Sequence, residues 1–449
     1  MHIKWLQTCA KYYKNLVSFM DLERYLESEW VRTIGCTEPA SIAYAAGVAR
    51  RWLGKAARRI QLEVDQRTYK NCYAIGIPHT DIGGRTKTGI VWAAAIGASL
   101  KEANGLECFK DVTRQDILDA EALIKSGGVF ISKVPTSHLY IDLILEDGDG
   151  HTVHTRIEET HTNLVLIERD GEVVEQKDGG STDPTMEARR WAEGLDIPDM
   201  IQIAQGMGEG ERARLKEGKD LNLKISRHGL QLFPHSFVEL LESDPLTNIS
   251  GHVCAGVYAR MWGASMPVMS VAGSGNKGIT LTVPISLIRD EWGVDESRQD
   301  EALLIGMLYT SKITSHLGSL STVCGCSNAA GIGLAAALTY MRGGGEAEIS
   351  RAVNNMVGNI TGMICDGAKI GCALKTMTAV DAAFRATALA MSGVGIPYED
   401  GIVGHEAEES IQNMVRIANG MHKTDEEILG IMDKKMAKIR KLLGKSAES

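Results

Sequence analysis

The sequence predicts an α+β protein in which a small α+β domain containing an antiparallel sheet is inserted into a mainly helical chain. Three observations carry this prediction. Apolar residues recur at helical spacing near the start and through the second half, runs between 129 and 168 alternate in the manner of strands, and a polar, breaker-rich stretch at 178–185 (DGGSTDPT) separates the two textures. The expected division is N-terminal helices over 1–57 that pack with the helical domain, the small α+β domain over 58–178, and the helical domain over 185–449.

Taken in order, Leu22, Tyr25, Leu26, Trp30, Val31 and Ile34 share one helix face, and Gly35 is a natural stop. A second helix follows at once: Thr37 is a capping residue, Pro39 is tolerated in a first turn, and small residues run through Gly47 to Leu53 ahead of Gly54. Cys36 is thereby pinned between two helices. Ile60, Leu62 and Val64 alternate, and a glycine-punctuated loop (IGIPHTDIGGRTKTG) leads into an apolar helix over 90–100 and a further helix over 115–125. Strands are expected at 129–134, 139–145, 151–158 and 163–168, with DGDG and Asp170-Gly171 as hairpin turns. Beyond 185 the chain reads as helices joined by glycine-rich loops, ending in a lysine-rich amphipathic helix from Thr424 whose basic face is a solvated surface.

Composition narrows the function. With 57 acidic against 48 basic residues and a formal net charge of -9, the chain repels phosphate backbones, so no nucleic-acid partner is expected. The longest greasy stretch, 329–338, has about half the residues needed to span a bilayer, so no membrane partner is expected either. The opening residues MHIKWLQTCAKYYKNLVSFM lack a secretory pattern, which makes the expected compartment cytoplasmic. Nine cysteines, an odd number, then read as core residues, reactive thiols or metal ligands rather than as a disulfide framework.

Spacing sorts the cysteines. In GMICDGAKIGCALK (362–375), Cys365 and Cys372 lie on a glycine-bearing loop, where two thiolates reach one metal centre. A third thiolate is available from LSTVCGC, at Cys324 or Cys326, ahead of the Ala/Gly-rich helix. Three ligands from two loops suit a 4Fe-4S cluster with one iron free of protein ligands; tetrahedral zinc and plain buried cysteines are the competing readings. In GCTEP (35–39), Cys36 sits just ahead of a helix N-terminus, where the dipole lowers a thiol from about 8.5 toward roughly 3.5 to 7.5; the alternative is a cysteine that fills a tight corner.

The glycines of VAGSGNKGIT (271–280) let backbone N–H groups approach a phosphate or a small carboxylate, or make an ordinary turn, and no Lys-Ser/Thr pair marks a nucleotide loop. THTN (160–163) is a polar cluster at a strand start. Arg260 is either a partner for a substrate carboxylate or half of a structural ion pair.

Together these runs resemble the L-cysteine desulfidase family, which is related to the iron-sulfur-dependent L-serine dehydratases. The resemblance spans most of the chain: GCTEPASIA, HTN, GSGNKGIT, LSTVC with its Ala-rich helix, GMICDGAKIGCALK and GIVGHEAEESIQN, in that order. It implies α,β-elimination of L-cysteine to pyruvate, ammonia and sulfide, a 4Fe-4S cluster held by Cys324, Cys365 and Cys372, with Cys326 as the fallback for Cys324, and Cys36 as the base. Ser274, Gly275, Asn276, His161, Thr162, Asn163 and Arg260 are then the candidates for holding the amino-acid substrate. The sequence departs from the family pattern at Lys277, in the loop at 77–84 and in an N-terminal extension of about 18 residues. L-serine dehydration on the same scaffold, a pyridoxal-phosphate lyase using Lys277 or Lys369, and a cluster-bearing redox sensor are the rival functions. A homodimer is expected, as the commonest closed assembly.

Overall fold

The computed structural model describes residues 21–82, 85–136, 138–177 and 183–446. The N-terminal extension, Gly83 and Gly84, and positions 178–182 of the expected linker lie outside the described residues. The fold is α+β, about 58% helical, with a six-stranded mixed sheet and a small two-stranded one.

Helix α1 (Leu22–Glu29) starts at Asp21, whose carboxylate accepts the Arg24 N–H at 2.9 Å. It is shorter than its apolar pattern implied. Trp30 ends it, anchored by a hydrogen bond from its indole Nε1 to Arg214 O at 2.9 Å, and Arg32–Ile34 continue as strand β1. Cys36 therefore follows a strand rather than a helix. Helix α2 (Thr37–Leu53) runs to Gly54, whose left-handed φ of +75° provides the stop.

Strand β2 (Ala57–Asp65) leads through α3 (Gln66–Cys72), α4 (Ile90–Ser99) and α5 (Arg114–Lys125) to β3 (Val129–Val134). Strands β4 (Tyr140–Asp147), β5 (Thr152–Glu158), β6 (Leu164–Arg169) and β7 (Glu172–Gln176) then add in hairpin succession, giving the order β3-β2-β4-β5-β6-β7. The sheet is not wholly antiparallel: β2 and β3 pair in parallel, Ile60 opposite Val129 and Val64 opposite Lys133. The intervening helices supply the crossover that a parallel pair requires. Alternation in β2 buries Ile60, Leu62 and Val64, which meet Ile141, Leu143 and Leu145 of β4 and the small-residue face of α2 in one core. Helix α2 thus packs on the sheet, not among the C-terminal helices as expected, because its Ala40, Ala43 and Ala46 admit α4 closely; a methyl on Gly97 would come within 2.6 Å of Ala43 Cα. Helix α1, Trp30 and Cys36 belong to the other, helical core.

The polar linker residues 183–185 turn out to open a helix. Asp183 caps α6 (Pro184–Glu193), accepting from Thr185 N at 3.0 Å, and Pro184 occupies the first turn. Helices α7 (Ile197–Gln205), α8 (Glu209–Leu230), α9 (His235–Glu242) and α10 (Pro245–Trp262) follow, then β8 (Pro267–Met269), which pairs antiparallel with β1. After α11 (Gly275–Ile288), α12 (Glu296–Leu317) and the one-turn α13 (Gly325–Asn328), the Ala/Gly-rich α14 (Ala330–Met341) runs through the centre, every residue buried. Helices α15 (Glu346–Ile360), α16 (Cys372–Met391), α17 (Ala407–Gly420) and α18 (Lys423–Ser446) complete the layer. Among the described residues, no helix is long and apolar enough to cross a membrane.

Candidate active site

Two segments distant in sequence are zipped together at the site. Val323 and Ile364 form an antiparallel bridge, flanked by Cys324 N–H to Met363 O and Cys365 N–H to Thr322 O, both 2.8 Å. Cys324 caps α13 and Cys372 begins α16, so backbone pairing and two helix starts bring the thiols to one place. A cavity of about 80 Å³ is lined by Cys324, Cys326, Cys365 and Cys372, and on its other walls by Cys36, Glu38, Asn71, His161, Arg260, Ser274, Asn276 and Lys277.

Its seam position explains this composition. Cys36 and Glu38 come from the start of α2, Asn71 from α3, His161 from the β5–β6 connection, Arg260 from α10 and Ser274 to Lys277 from the start of α11. Cys36, Thr37, Glu38, Asn71 and His161 line the cavity from the N-terminal and sheet-bearing part, and the helical part supplies most of the walls.

Cys36 is not lowered by the helix dipole as its position had suggested. Burial and the adjacent Glu38 charge push its thiol well above the ordinary range, against the pull of Arg260. Its Sγ–H donates to Glu38 Oε2 at 2.9 Å. Burial acts to raise Glu38, but the His161 imidazole together with hydrogen bonds from Cys36 and Asn71 overcomes it and holds the carboxyl far below the usual carboxylate range. Asn71 Nδ2 donates to Oε1 at 2.8 Å and Thr37 Oγ1 to Oε2 at 3.2 Å. His161 Nε2 stands 3.8 Å from Oε1, beyond hydrogen-bond reach, and has no other partner. Cys36 and Glu38 are thus a buried thiol–carboxylate pair.

Arg260, which also lines the cavity, is 1% exposed and is held by one bond, Nη1 to Asn276 Oδ1 at 2.9 Å; its Nε and Nη2 have no partner. Two unpaired guanidinium donors in a buried cavity match the planar acceptors of a carboxylate. Lys277, lowered to about 8 by burial and by the charge of Arg189, donates to Thr314 Oγ1 at 2.7 Å and Ala272 O at 3.0 Å. A hydrogen bond between the two thiols lowers Cys324 and raises Cys326.

The structure does not bring every expected residue to the cavity. Thr162 lines a neighbouring surface groove, and Asn163 Nδ2 closes the β5–β6 turn by donating to Glu158 O at 3.1 Å. Gly275 is a spacer: a methyl there would meet Arg260 Nε at 2.6 Å and Val268 Cγ2 at 2.5 Å. Lys369 lies outside the cavity, 4.0 Å from Asp366. Conversely, the sequence reading passed over Glu38 and Asn71. Glu38 carried a signal within GCTEP itself, an acid in the first helical turn two residues after the thiol, whereas nothing near Asn71 pointed to the site.

The chain matches the serine dehydratase alpha chain family over residues 103–430. It is also 35% identical over 429 residues to a UPF0597 protein of Caldanaerobacter subterraneus, covering 94% of this chain and 99% of the relative. UPF0597 proteins of Clostridium tetani and Desulfotalea psychrophila are each 34% identical, over 91% and 93% of this chain and 96% and 99% of theirs. Buried thiols, a buried acid–thiol pair and an unpaired arginine in one cavity accompany a lyase-type relationship. The chain belongs to the serine dehydratase alpha chain family.

Proposed function

We propose that the protein is a cysteine desulfidase, eliminating sulfide and ammonia from L-cysteine to leave pyruvate with the help of an iron-sulfur cluster. The observation that carries this reading is the convergence of four cysteine thiols, the Cys36–Glu38 pair and the unpaired edge of Arg260 on one cavity. Among the described residues no three Cys, His, Asp or Glu side chains gather at single-ion distance. Three cysteine thiols supplied by two loops would suit an iron-sulfur cluster, with tetrahedral zinc as the competing metal. Cys324, Cys365 and Cys372 would hold a 4Fe-4S cluster, with Cys326, hydrogen-bonded to Cys324, as the alternative third thiolate. Held there, such a cluster would supply a Lewis acid for the departing sulfur.

The protein's own groups do the rest. Arg260 receives the substrate carboxylate on Nε and Nη2, oriented by Asn276, while Ser274 lies at the same wall. Cys36 passes its proton along its hydrogen bond to Glu38, a transfer that runs uphill in the unliganded cavity because the thiol is raised and the carboxyl lowered, and as thiolate takes the α-proton. Carbon–sulfur cleavage then yields aminoacrylate, which tautomerises to the imine and hydrolyses to pyruvate and ammonia. The family match favours a second reading, loss of hydroxide from L-serine in the same geometry. The reading further makes the chain a cytoplasmic homodimer, its sheet-bearing region 58–178 and helical region 185–449 acting as two domains across the site. Anaerobic iron and sulfide quantification, followed by pyruvate release from L-cysteine and L-serine side by side, tests it. Iron-free protein, or iron-loaded protein that turns over neither amino acid, defeats the proposal.

A further inference from the structure

A second concavity, a surface groove of about 470 Å³, meets the cavity from outside. Ser28, Arg32, Thr160, Thr162, Arg189 and Ser270 line it, and His161 and Gly273 line both it and the thiol cavity. These two residues are the partition. His161 turns one ring nitrogen to each side: Nε2 faces Glu38 inside, and Nδ1 would lie 3.3 Å from a methyl placed on Gly273. At φ +73° and without a side chain, Gly273 leaves a gap that any larger residue would fill.

Arg189 guards that gap. It is 5% exposed, and two edges of its guanidinium are occupied, Nε by Glu29 Oε1 at 2.9 Å and Nη1 by Ser319 Oγ at 3.0 Å. Its Nη2 has no partner and would lie 2.9 Å from the same methyl on Gly273. A buried donor left unsatisfied is costly unless a ligand completes it. Because Glu29 already offsets the positive charge, a carboxylate bound there is held weakly and is free to pass on.

We propose that this groove is the inlet of the cavity, and that Arg189 Nη2 receives the carboxylate of an incoming small α-amino acid before Arg260 takes it inside. The identity of the travelling ligand rests on the lyase reading above; the route does not. Thr162 is exposed and Ser28 half-buried on the groove wall, so Thr162→Trp and Ser28→Trp narrow it without touching the thiols. In the iron-loaded enzyme, kcat/KM for L-cysteine or L-serine falls by about tenfold or more in both variants, with iron content and visible absorption unchanged.

A second arm needs no turnover. In metal-free protein, Cys36 alkylation is followed by mass spectrometry with iodoacetate and with neutral iodoacetamide. The tryptophan variants slow both reagents, whereas Arg189→Met slows iodoacetate selectively, because the negative reagent alone uses the guanidinium. Unchanged alkylation of Cys36 in both tryptophan variants, or unchanged kcat/KM in an enzyme that does turn over amino acids, overturns the route. An unaltered reagent ratio in folded Arg189→Met removes Arg189 from it. Altered alkylation in a protein inert toward both amino acids keeps the inlet and discards the lyase reading.

Discussion

Replacing Glu38 by Gln separates two ways in which Cys36 could work. In the wild type the thiol proton already points at Glu38 Oε2 over 2.9 Å, and the negative carboxylate helps to hold the thiol pKa up. If Cys36 acted alone, removing that charge would favour the thiolate and speed the reaction. If Glu38 is the proton's destination, Gln removes the acceptor while keeping the volume. A hydrogen bond to a charged group contributes about 1.5–3 kcal/mol, which is roughly ten- to 150-fold in rate. The lost proton transfer itself is worth about 10²- to 10⁴-fold. The two overlap, so kcat falls by about 10²-fold or more in Glu38→Gln. The assay is anaerobic pyruvate release, with visible absorption as the check that the cluster is retained. A variant with wild-type or higher kcat refutes the proton-acceptor role and leaves Cys36 as an unaided base.

Further expectations follow from the same geometry. Cys365→Ser loses iron and turnover together, whereas Cys36→Ser keeps the iron and loses turnover by about 10²-fold or more; iron quantification beside the pyruvate assay distinguishes them. Lys70 is 1% exposed and bridges Cys365 O at 2.7 Å and Asp425 Oδ1 at 2.5 Å, tying the cysteine loop to α3 and α18. Lys70→Met removes one of the two cations paired with Asp425, leaving Arg67, and costs about 1.5–3 kcal/mol, read as a lowered urea midpoint with accelerated iron loss. Asp142 is buried, which raises it, but His154 at 2.9 Å and Arg156 at 2.7 Å outweigh that and lower its carboxyl. With the folded value below the unfolded one of about 3.9, the stabilisation is present above that pH and disappears as pH falls through the folded value. Asp142→Asn is therefore less stable than wild type near neutrality, and the gap between their urea midpoints closes in strong acid.

Local pattern made much of the fold legible. Alternation at Ile60, Leu62 and Val64 marks β2 because a half-buried strand has period two, and Asp170-Gly171 marks a hairpin because both residues adopt positive φ there, +50° and +84°. Where pattern misled, a distant partner was the cause: Ile34 continues a helical spacing, yet Pro267 claims it as part of a strand. Helix α2 looked like a companion of α1, yet its alanines fit the sheet.

For the site, residue type and spacing singled out Cys36, Cys365, Cys372, Arg260 and either Cys324 or Cys326, since thiols on glycine-bearing loops and a helix-start cysteine are chemical signals independent of fold. Sequence could not show that Cys36 is raised rather than lowered, because that depends on burial and on a carboxylate turned toward it. Nor could it reveal Asn71 or Arg189, ordinary polar residues whose significance comes only from what folding leaves beside them. Charge interactions and desolvation act through space over a few ångströms, and only the tertiary fold sets which groups stand that close.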